Sequence, residues 1–201
     1  MMSGTIPSGT SMKKLFVAIG LAGGIAALLM LGGCVSKPDG VEPVQNFESA
    51  KYLGTWYEIA RLDHSFERGL SRVTAEYSTL PDGGIKVLNR GYHAEKSEWK
   101  DAEGKAYFVE KPDVGYLKVS FFGPAYSSYI VFDLDRENYR YSLVSGPNRS
   151  YLWLLSRTPT MDEATKKRLV DKAQALGYDT SKLIYVDQSA APGSAGKPAS
   201  R

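Results

Sequence analysis

Eight short runs of alternating apolar and polar residues between positions 55 and 156 constrain the fold of this chain more than any other feature. The runs are rich in Tyr and Val, which favour β-strands, and turn sequences such as Pro81-Asp82-Gly83-Gly84 separate them. The predicted strands are 55–61, 72–80, 85–92, 99–109, 116–122, 129–134, 138–144 and 151–156. Short strands joined by short turns predict an all-β protein, either a sandwich or an up-and-down antiparallel barrel.

One helix and one further strand follow the eight runs. Thr160 and Glu163 have the spacing of a capping box, which predicts a helix that begins after Thr160 and continues to about Leu176. Apolar residues recur along it at helical spacing, so we expect this C-terminal α-helix to pack on the outside of the sheet. Residues 183–186 form a short apolar run that predicts a last, extra strand.

Composition excludes several classes of function. The chain has 25 Lys and Arg against 22 Asp and Glu, a net charge of +3, which is too balanced for a nucleic-acid partner. A single cysteine excludes an intramolecular disulfide and a multi-cysteine metal site, and two histidines are too few for a histidine-rich metal centre. We therefore predict no metal and no cofactor.

The N-terminal residues predict export and lipid attachment. Residues 1–33 are assigned to a leader and signal peptide whose natural start is Met12, since two lysines precede an apolar stretch over 15–31. A retained membrane helix is the alternative for that stretch. The segment Leu31-Gly32-Gly33-Cys34 resembles the bacterial lipoprotein box, which implies acylation of Cys34. Val35 stands where the signal for inner-membrane retention has Asp, so the expected location is the periplasmic side of the outer membrane.

The remaining chain divides into three parts. Residues 34–45 contain two prolines and a glycine and are assigned to a lipid-anchored tether. Residues 46–189 hold the predicted strands and helix and form the barrel domain. Residues 190–201 are rich in Ala, Gly, Ser and Pro and are predicted to be a disordered tail.

Three sequence blocks resemble the lipocalins. Gly54 and Trp56 match the lipocalin Gly-x-Trp signature at the first strand, preceded by a helical turn over 47–52. Asp135 and Tyr139 match the second block, and Arg157 stands for the basic residue of the third. The run 152–159 is similar to apolipoprotein D-like and bacterial lipoprotein lipocalins.

The second block departs from the lipocalin pattern at two positions. Leu134 stands where the family has Thr, and Arg136 stands where it has the first Tyr. The resemblance extends from about residue 46 to residue 188 and implies an eight-stranded up-and-down lipocalin barrel. It also implies that Trp56 fills the closed end and that Arg157 packs over it, a structural and not a catalytic pair.

The resemblance implies a small hydrophobic ligand, with fatty acid or lysophospholipid as the expected partner. Such an amphiphile needs apolar walls and a few polar groups near the mouth of its pocket. Strand parity predicts six inward candidates for ligand binding: Tyr77, Leu117, Val119, Phe121, Tyr151 and Trp153. Alternation marks burial and not ligand contact, so the alternative is that these residues simply fill the core.

One apolar loop remains open to three interpretations. Residues 123–126 follow Phe121 and Phe122 and contain Gly123 and Pro124. A buried connection is the favoured interpretation; a rim that touches the membrane, or a contact with a second copy in a homodimer, are the others.

Three other functions compete with lipid transport, storage or membrane maintenance. An enzyme needs an activated group, and the Asp63–His64 pair is the only acid–base candidate that we single out, so no catalytic residue is assigned. A haem carrier would use His64 or His93. A scaffolding lipoprotein would have a filled barrel.

Overall fold

The structure, a computed structural model, describes residues 35–189 of the 201-residue chain. Within that range one nine-stranded antiparallel sheet runs in the order β2-β3-β4-β5-β6-β7-β8-β1-β9, and pairing of β1 with β2 closes it. The strands are β1 (Gly54–Arg61), β2 (Leu70–Thr79), β3 (Ile85–His93), β4 (Glu98–Phe108), β5 (Tyr116–Phe122), β6 (Ala125–Leu134), β7 (Tyr141–Ser145), β8 (Leu152–Ser156) and β9 (Ile184–Tyr185). The predicted eight-stranded up-and-down barrel with an extra outer strand is confirmed.

Strand boundaries differ most at β6 and β7. The strand β6 begins at Ala125, four residues before its predicted start, and β7 begins at Tyr141 instead of residue 138. Tyr139 has a φ of 53°, in the left-handed region, and its amide donates to the carbonyl of Asp135 (2.9 Å). This tight turn delays β7, because the chain stays in the turn until Arg140 and joins the sheet only at Tyr141.

Two helices lie at the ends of the barrel sequence, α1 (Ser49–Tyr52) and α2 (Glu163–Ala175), and short 3₁₀ turns cover Ala94–Lys96 and Thr180–Lys182. The predicted cap of α2 is wrong. Asp162 is the N-cap, and its Oδ1 accepts from the amide of Thr165 (2.8 Å). An Asp directly before the first turn competes successfully with Thr160, because it also places a negative charge at the positive end of the helix dipole. Among residues 35–189, no helix is long and apolar enough to cross a bilayer.

The protein has two apolar cores, one on each side of the barrel wall. The outer core lies between the barrel and α2, where Leu169 and Ala173 of the helix are fully buried. The inner core fills much of the barrel, with Trp56, Val131 and Val144 fully buried in it. Strand residues therefore face apolar surroundings on both sides over part of the sheet, which explains why strict alternation fails there.

The segment that was assigned to a tether packs along the barrel wall. Val41 is fully buried in the outer core. The amide of Val44 donates to the carbonyl of Val131, and the carbonyl of Val44 accepts from the amide of Gly115, both at 2.8 Å. The packed chain thus extends N-terminal to residue 46. The predicted signal peptide, Cys34 and the predicted tail over 190–201 lie outside the described residues.

One end of the barrel is closed by α1 and an arginine. The Trp56 Nε1 donates to the carbonyl of Tyr52 (2.8 Å), and the Arg157 guanidinium lies 4.0 Å from the centre of the indole ring. The same guanidinium donates to the carbonyls of Lys51 (2.7 Å) and Thr55 (2.9 Å). Arg157 therefore links the end of α1, the start of β1 and the indole beneath them.

The other matched signature residues lie at the same end. Gly54 has a φ of 89°, and a Cβ there would lie 3.5 Å from Arg157 Nη1. The Tyr139 hydroxyl accepts from the amide of Glu48 (2.9 Å), and the Asp135 carboxylate accepts from Arg140 Nε (2.5 Å). The Tyr139 bond fastens the 135–140 turn to the chain that enters α1, and the Asp135–Arg140 bond holds the turn itself together.

The opposite end carries four connections, 62–69, 94–97, 123–124 and 146–151, which we call the mouth. They share one end because successive strands of an up-and-down barrel run in opposite directions. The interpretation of the 123–126 loop as a buried connection is wrong: Phe122 is 85% exposed, and residues 123–125 are exposed too. The two-residue turn is too short to fold back over the barrel, so its apolar side chains project outward.

We expect Arg157→Ala to lower the free energy of unfolding by about 2–4 kcal/mol, since it removes a cation–π contact and charged hydrogen bonds to backbone carbonyls. Urea unfolding measures the effect. Arg136→Ala, at an exposed arginine of the same end, is the matched control. Equal unfolding midpoints for the two variants would contradict the structural role of Arg157.

Candidate functional site

A β-bulge in the first strand places two charged residues inside the barrel. The pairing of β1 with β8 shifts register between Glu58 and Ala60. A bulge inserts one extra residue, so the side chains of Glu58 and Arg61 both point inward although their odd spacing would place them on opposite faces of a regular strand. Both are buried, with 3% and 2% of their surface exposed.

Glu58 lines a small interior cavity of about 40 Å³, and Arg61 lies behind it, bonded to Glu58. Its wall combines polar and apolar side chains and reaches from the mouth side to the middle of the barrel. The lining residues are Glu58, Glu67, Val73, Ala75, Tyr77, Asn89, Tyr129, Trp153 and Leu155. Since one water needs about 10–15 Å³, the cavity has room for about three waters.

Arg61 organises the charged side of the cavity. Its Nη1 lies 2.6 Å from Glu58 Oε1, and its Nη2 donates to the backbone carbonyl of Glu67 (2.8 Å). The Glu67 carboxylate is 3.9 Å from Arg61 Nε and accepts from Trp153 Nε1 (3.1 Å). One guanidinium therefore faces two buried carboxyl groups. The cluster has two acidic groups and one cation.

Burial makes this excess acid easier to protonate. Desolvation, reinforced by the neighbouring Glu67 carboxylate and opposed by Arg61, raises the pKa of Glu58 to about 8. Desolvation also raises the pKa of Glu67, against the hydrogen bond from Trp153 and the charge of Arg61. Near neutral pH the two glutamates therefore hold a proton between them, and the cluster with Arg61 is close to neutral.

The deep wall of the cavity is a chain of tyrosine hydroxyls. The hydroxyls of Tyr52 and Tyr129 are 2.8 Å apart, and those of Tyr77 and Tyr129 are also 2.8 Å apart. The Tyr52 hydroxyl further bonds Ser142 Oγ (3.2 Å). Burial raises the pKa of Tyr52 to about 12, so the chain stays neutral and connects the closed end to the cavity.

His64 lies at the mouth between aromatic rings. Its ring stacks on Tyr151 (4.7 Å, 10°) and on Phe66 (5.2 Å, 5°). Burial and the nearby Arg61 cation lower the pKa of His64 to about 4, so it is neutral at physiological pH. Asp63 forms an ion pair with Arg68 (2.6 Å) and not a carboxylate–imidazole pair. The acid–base hypothesis for Asp63 and His64 therefore has no supporting geometry.

The structure separates the six predicted ligand residues into three groups. Tyr77 and Trp153 line the cavity. Leu117, Val119 and Phe121 belong to the inner core but do not line the cavity. Tyr151 lies at the mouth, stacked on His64.

Sequence reasoning missed the polar half of the wall, namely Glu58, Glu67, Asn89 and Tyr129 with their partner Arg61. One signal was available in the first strand. Glu58 and Arg61 interrupt an otherwise apolar and aromatic run, and two charges three residues apart in a barrel strand indicate a bulge that turns both inward. No comparable signal marks Glu67, which lies in a polar loop.

The lipocalin-like domain family matches residues 47–188, which covers the barrel, the helix and the last strand. The chain is a lipocalin. The fold agrees with that of the cockroach allergen Per a 4, whose crystal structure superposes with a TM-score of 0.60 at 23% identity, over 77% of this chain and 96% of that one. Lipocalins are generally binding and transport proteins and not enzymes.

Two bacterial relatives cover most of this lipocalin. The Outer membrane lipoprotein Blc of Vibrio cholerae is 62% identical over 164 residues, which is 82% of this chain and 96% of the relative. The protein of that name from Escherichia coli strain K12 is 52% identical, over 87% of this chain and 97% of the relative. This lipocalin is a lipid-anchored lipoprotein of the outer membrane.

The raised pKa of Glu58 predicts a pH-dependent stability. Between about pH 4.5 and 8 the folded protein holds a proton that the unfolded chain releases, so stability falls as pH rises through this window. We expect the unfolding free energy of the wild type to fall, relative to Glu58→Gln, between about pH 5 and 8. Urea unfolding at several pH values measures it.

Glu76→Gln is the control, since it makes the same chemical change at an exposed position of β2. The unfolding free energy of Glu76→Gln should change with pH in the same way as that of the wild type between about pH 5 and 8. If the unfolding free energy of Glu58→Gln also changes with pH as that of the wild type does, Glu58 does not retain its proton in the folded protein.

Proposed function

We propose that this lipocalin, held at the outer membrane by acylated Cys34 and facing the periplasm, binds one single-tailed lipid in its barrel. Lysophospholipid and fatty acid are the candidate ligands, and lipid transport, storage or membrane maintenance is the role. Membership of the lipocalin family supports a small hydrophobic ligand. The interior cavity with its charged and aromatic wall is the observation that carries the proposal.

Lipid entry requires side chains to move. Pockets for small molecules have volumes of about 300–1,000 Å³, far above the 40 Å³ found here. The inward side chains that are only partly buried are the ones with room to change rotamer, among them Val119, Phe121 and Trp153. Rotation of Trp153 breaks its hydrogen bond to Glu67 and its ring contacts with His64 (4.8 Å) and Tyr151 (6.1 Å), the side chains between it and the mouth. Trp153 therefore acts as the movable wall.

The charged cluster favours one headgroup over another. A fatty-acid carboxylate at this wall would add a third carboxyl group beside Glu58 and Glu67. A lysophospholipid with an ethanolamine headgroup brings an ammonium group, which the carboxyl oxygens of Glu58 and Glu67 in the cavity wall attract. The cluster thus supports lysophospholipid as the tighter ligand.

A filled barrel is the competing function, and the small cavity favours it. In that case Trp153 and the tyrosine hydroxyl chain would be permanent packing, and the protein would act as a scaffold in the envelope. A haem carrier finds less support, because the cavity is far smaller than a porphyrin and the rings of Tyr151 and Phe66 cover the two faces of His64.

A titration separates lipid binding from a filled barrel. The chain from Val35 onward, without its anchor and stripped of bound lipid, is titrated with lysophosphatidylethanolamine and with fatty acid, and tryptophan fluorescence is recorded. We expect saturable binding, tighter for the lysophospholipid, and a loss of about tenfold or more in affinity for Trp153→Ala, with a smaller relative loss of stability. Competition with a fluorescent fatty acid measures affinity in the variant.

Trp153→Phe is the matched control, since it keeps an aromatic wall without the hydrogen bond to Glu67. It should bind nearly as well as the wild type. If neither lipid binds the wild type, the barrel is filled. If both lipids bind but Trp153→Ala retains full affinity, the ligand lies elsewhere.

A further inference from the structure

The first described residues, 35–45, which we call the N-terminal segment, begin at the mouth. Ser36 Oγ donates to the carbonyl of Pro147 (3.1 Å), and Ser128 Oγ donates to the carbonyl of Ser36 (2.6 Å). Three residues later, the carbonyl of Asp39 accepts from Arg149 Nη2 (2.5 Å). Pro147 and Arg149 belong to the 146–151 connection, so the segment begins at the mouth.

From there the segment runs away from the mouth. Val44 bonds Gly115 and Val131, and Gln45 bridges Val114, next to the 109–115 connection of the closed end. The chain therefore enters at the mouth, descends along the outer wall and continues into α1 beneath the barrel. The first described residues of the segment therefore lie at the mouth and its last residues lie at the closed end.

Little chain separates the anchor from the mouth. Cys34 is two residues before Ser36, and two residues span at most about 7 Å. A bilayer core is about 30 Å thick with a polar layer on each side, so an acyl chain on Cys34 brings Ser36 to the level of the headgroups. An anchor this short does not allow the barrel to turn freely.

The mouth also carries the most exposed apolar side chains. Among the described residues, Phe122 is 85% exposed and Phe66 is 62% exposed, each in or beside a mouth connection. Trp99, close after the 94–97 connection, is 44% exposed. Pro124 and Ala125 extend the apolar surface beside Phe122.

Exposed charged residues lie at both ends of the barrel. At the mouth, Arg68 and Asp63 form an ion pair beside Phe66, and Glu95, Lys96 and Arg149 are exposed. The exposed residues of the closed-end connections include Asp82, Glu110, Lys111, Asp113, Arg136 and Glu137. The end next to the anchor is therefore the end that carries the two most exposed aromatic side chains, Phe122 and Phe66.

We propose that the mouth is a membrane-docking surface: with Cys34 acylated, the barrel stands mouth-down on the bilayer, and Phe66 and Phe122 enter the headgroup layer. A lipid can then pass between bilayer and barrel without crossing water. The proposal rests on acylation of Cys34 but not on a lipid inside the barrel, so it and the proposed ligand function fail separately.

A single-thiol label tests the orientation. The chain has one cysteine, which the anchor occupies, so an introduced cysteine is the only free thiol. Full-length lipidated Phe122→Cys is labelled with an environment-sensitive fluorophore and placed in vesicles of phosphatidylethanolamine and phosphatidylglycerol. We expect a blue shift of the emission and loss of most of the fluorescence when lipids with spin-labelled headgroups are included.

Two matched variants report on the other orientations. Glu137→Cys carries the label at the closed end, and Asp171→Cys carries it on the exposed face of α2. The emission of neither label should shift, and the spin-labelled headgroups should quench the fluorescence of neither. A response at residue 137 or 171 in place of 122 would overturn the proposal, as would no response at any position, which means that the barrel stands clear of the bilayer.

The same labels distinguish membrane docking from a contact between two copies of the chain. A dimer through Phe122 would shift the emission equally in detergent without vesicles, and the shift would grow with protein concentration. That result would overturn membrane docking in favour of a homodimer interface.

Discussion

The stacking of Arg157 on Trp56 closes one end of the barrel and so makes it different from the mouth. The guanidinium ties α1 and β1 together over the indole, and Trp56 itself is fully buried. The interior cavity lies above this end, with Tyr77 and Tyr129 in its deep wall and Glu67 of a mouth connection on its other side. The side from which a ligand would enter follows from this asymmetry.

The interior beyond the closed end is polar because of one irregularity in β1. The bulge turns Glu58 and Arg61 inward together, and Glu67 joins them from the mouth. Buried charges of this kind are costly unless they are paired, and here two acids share one guanidinium. An excess acid held near neutrality suits a site that meets an ionic headgroup better than a core that serves packing alone.

Particular residues show how far the sequence determines this structure. The strands follow from alternation and the closed end from the lipocalin blocks. Tyr77 and Trp153 line the cavity, as strand parity suggested. The charged wall was missed because a bulge reverses parity, and the exposure of Phe122 was missed because a short apolar loop has the same composition whether buried or exposed. The N-cap of α2 is Asp162 and not the predicted Thr160, because two residues that favour the N-cap position lie within three positions of each other.

The central claim is that this barrel opens to hold one lipid. Native mass spectrometry of the full-length acylated protein, incubated with excess lysophosphatidylethanolamine, tests it most directly because it counts bound molecules. The account predicts the acylated chain plus one lipid, retained when the solution is diluted. The acylated chain alone, with no added mass at any lipid concentration, would show a permanently filled barrel and contradict the account.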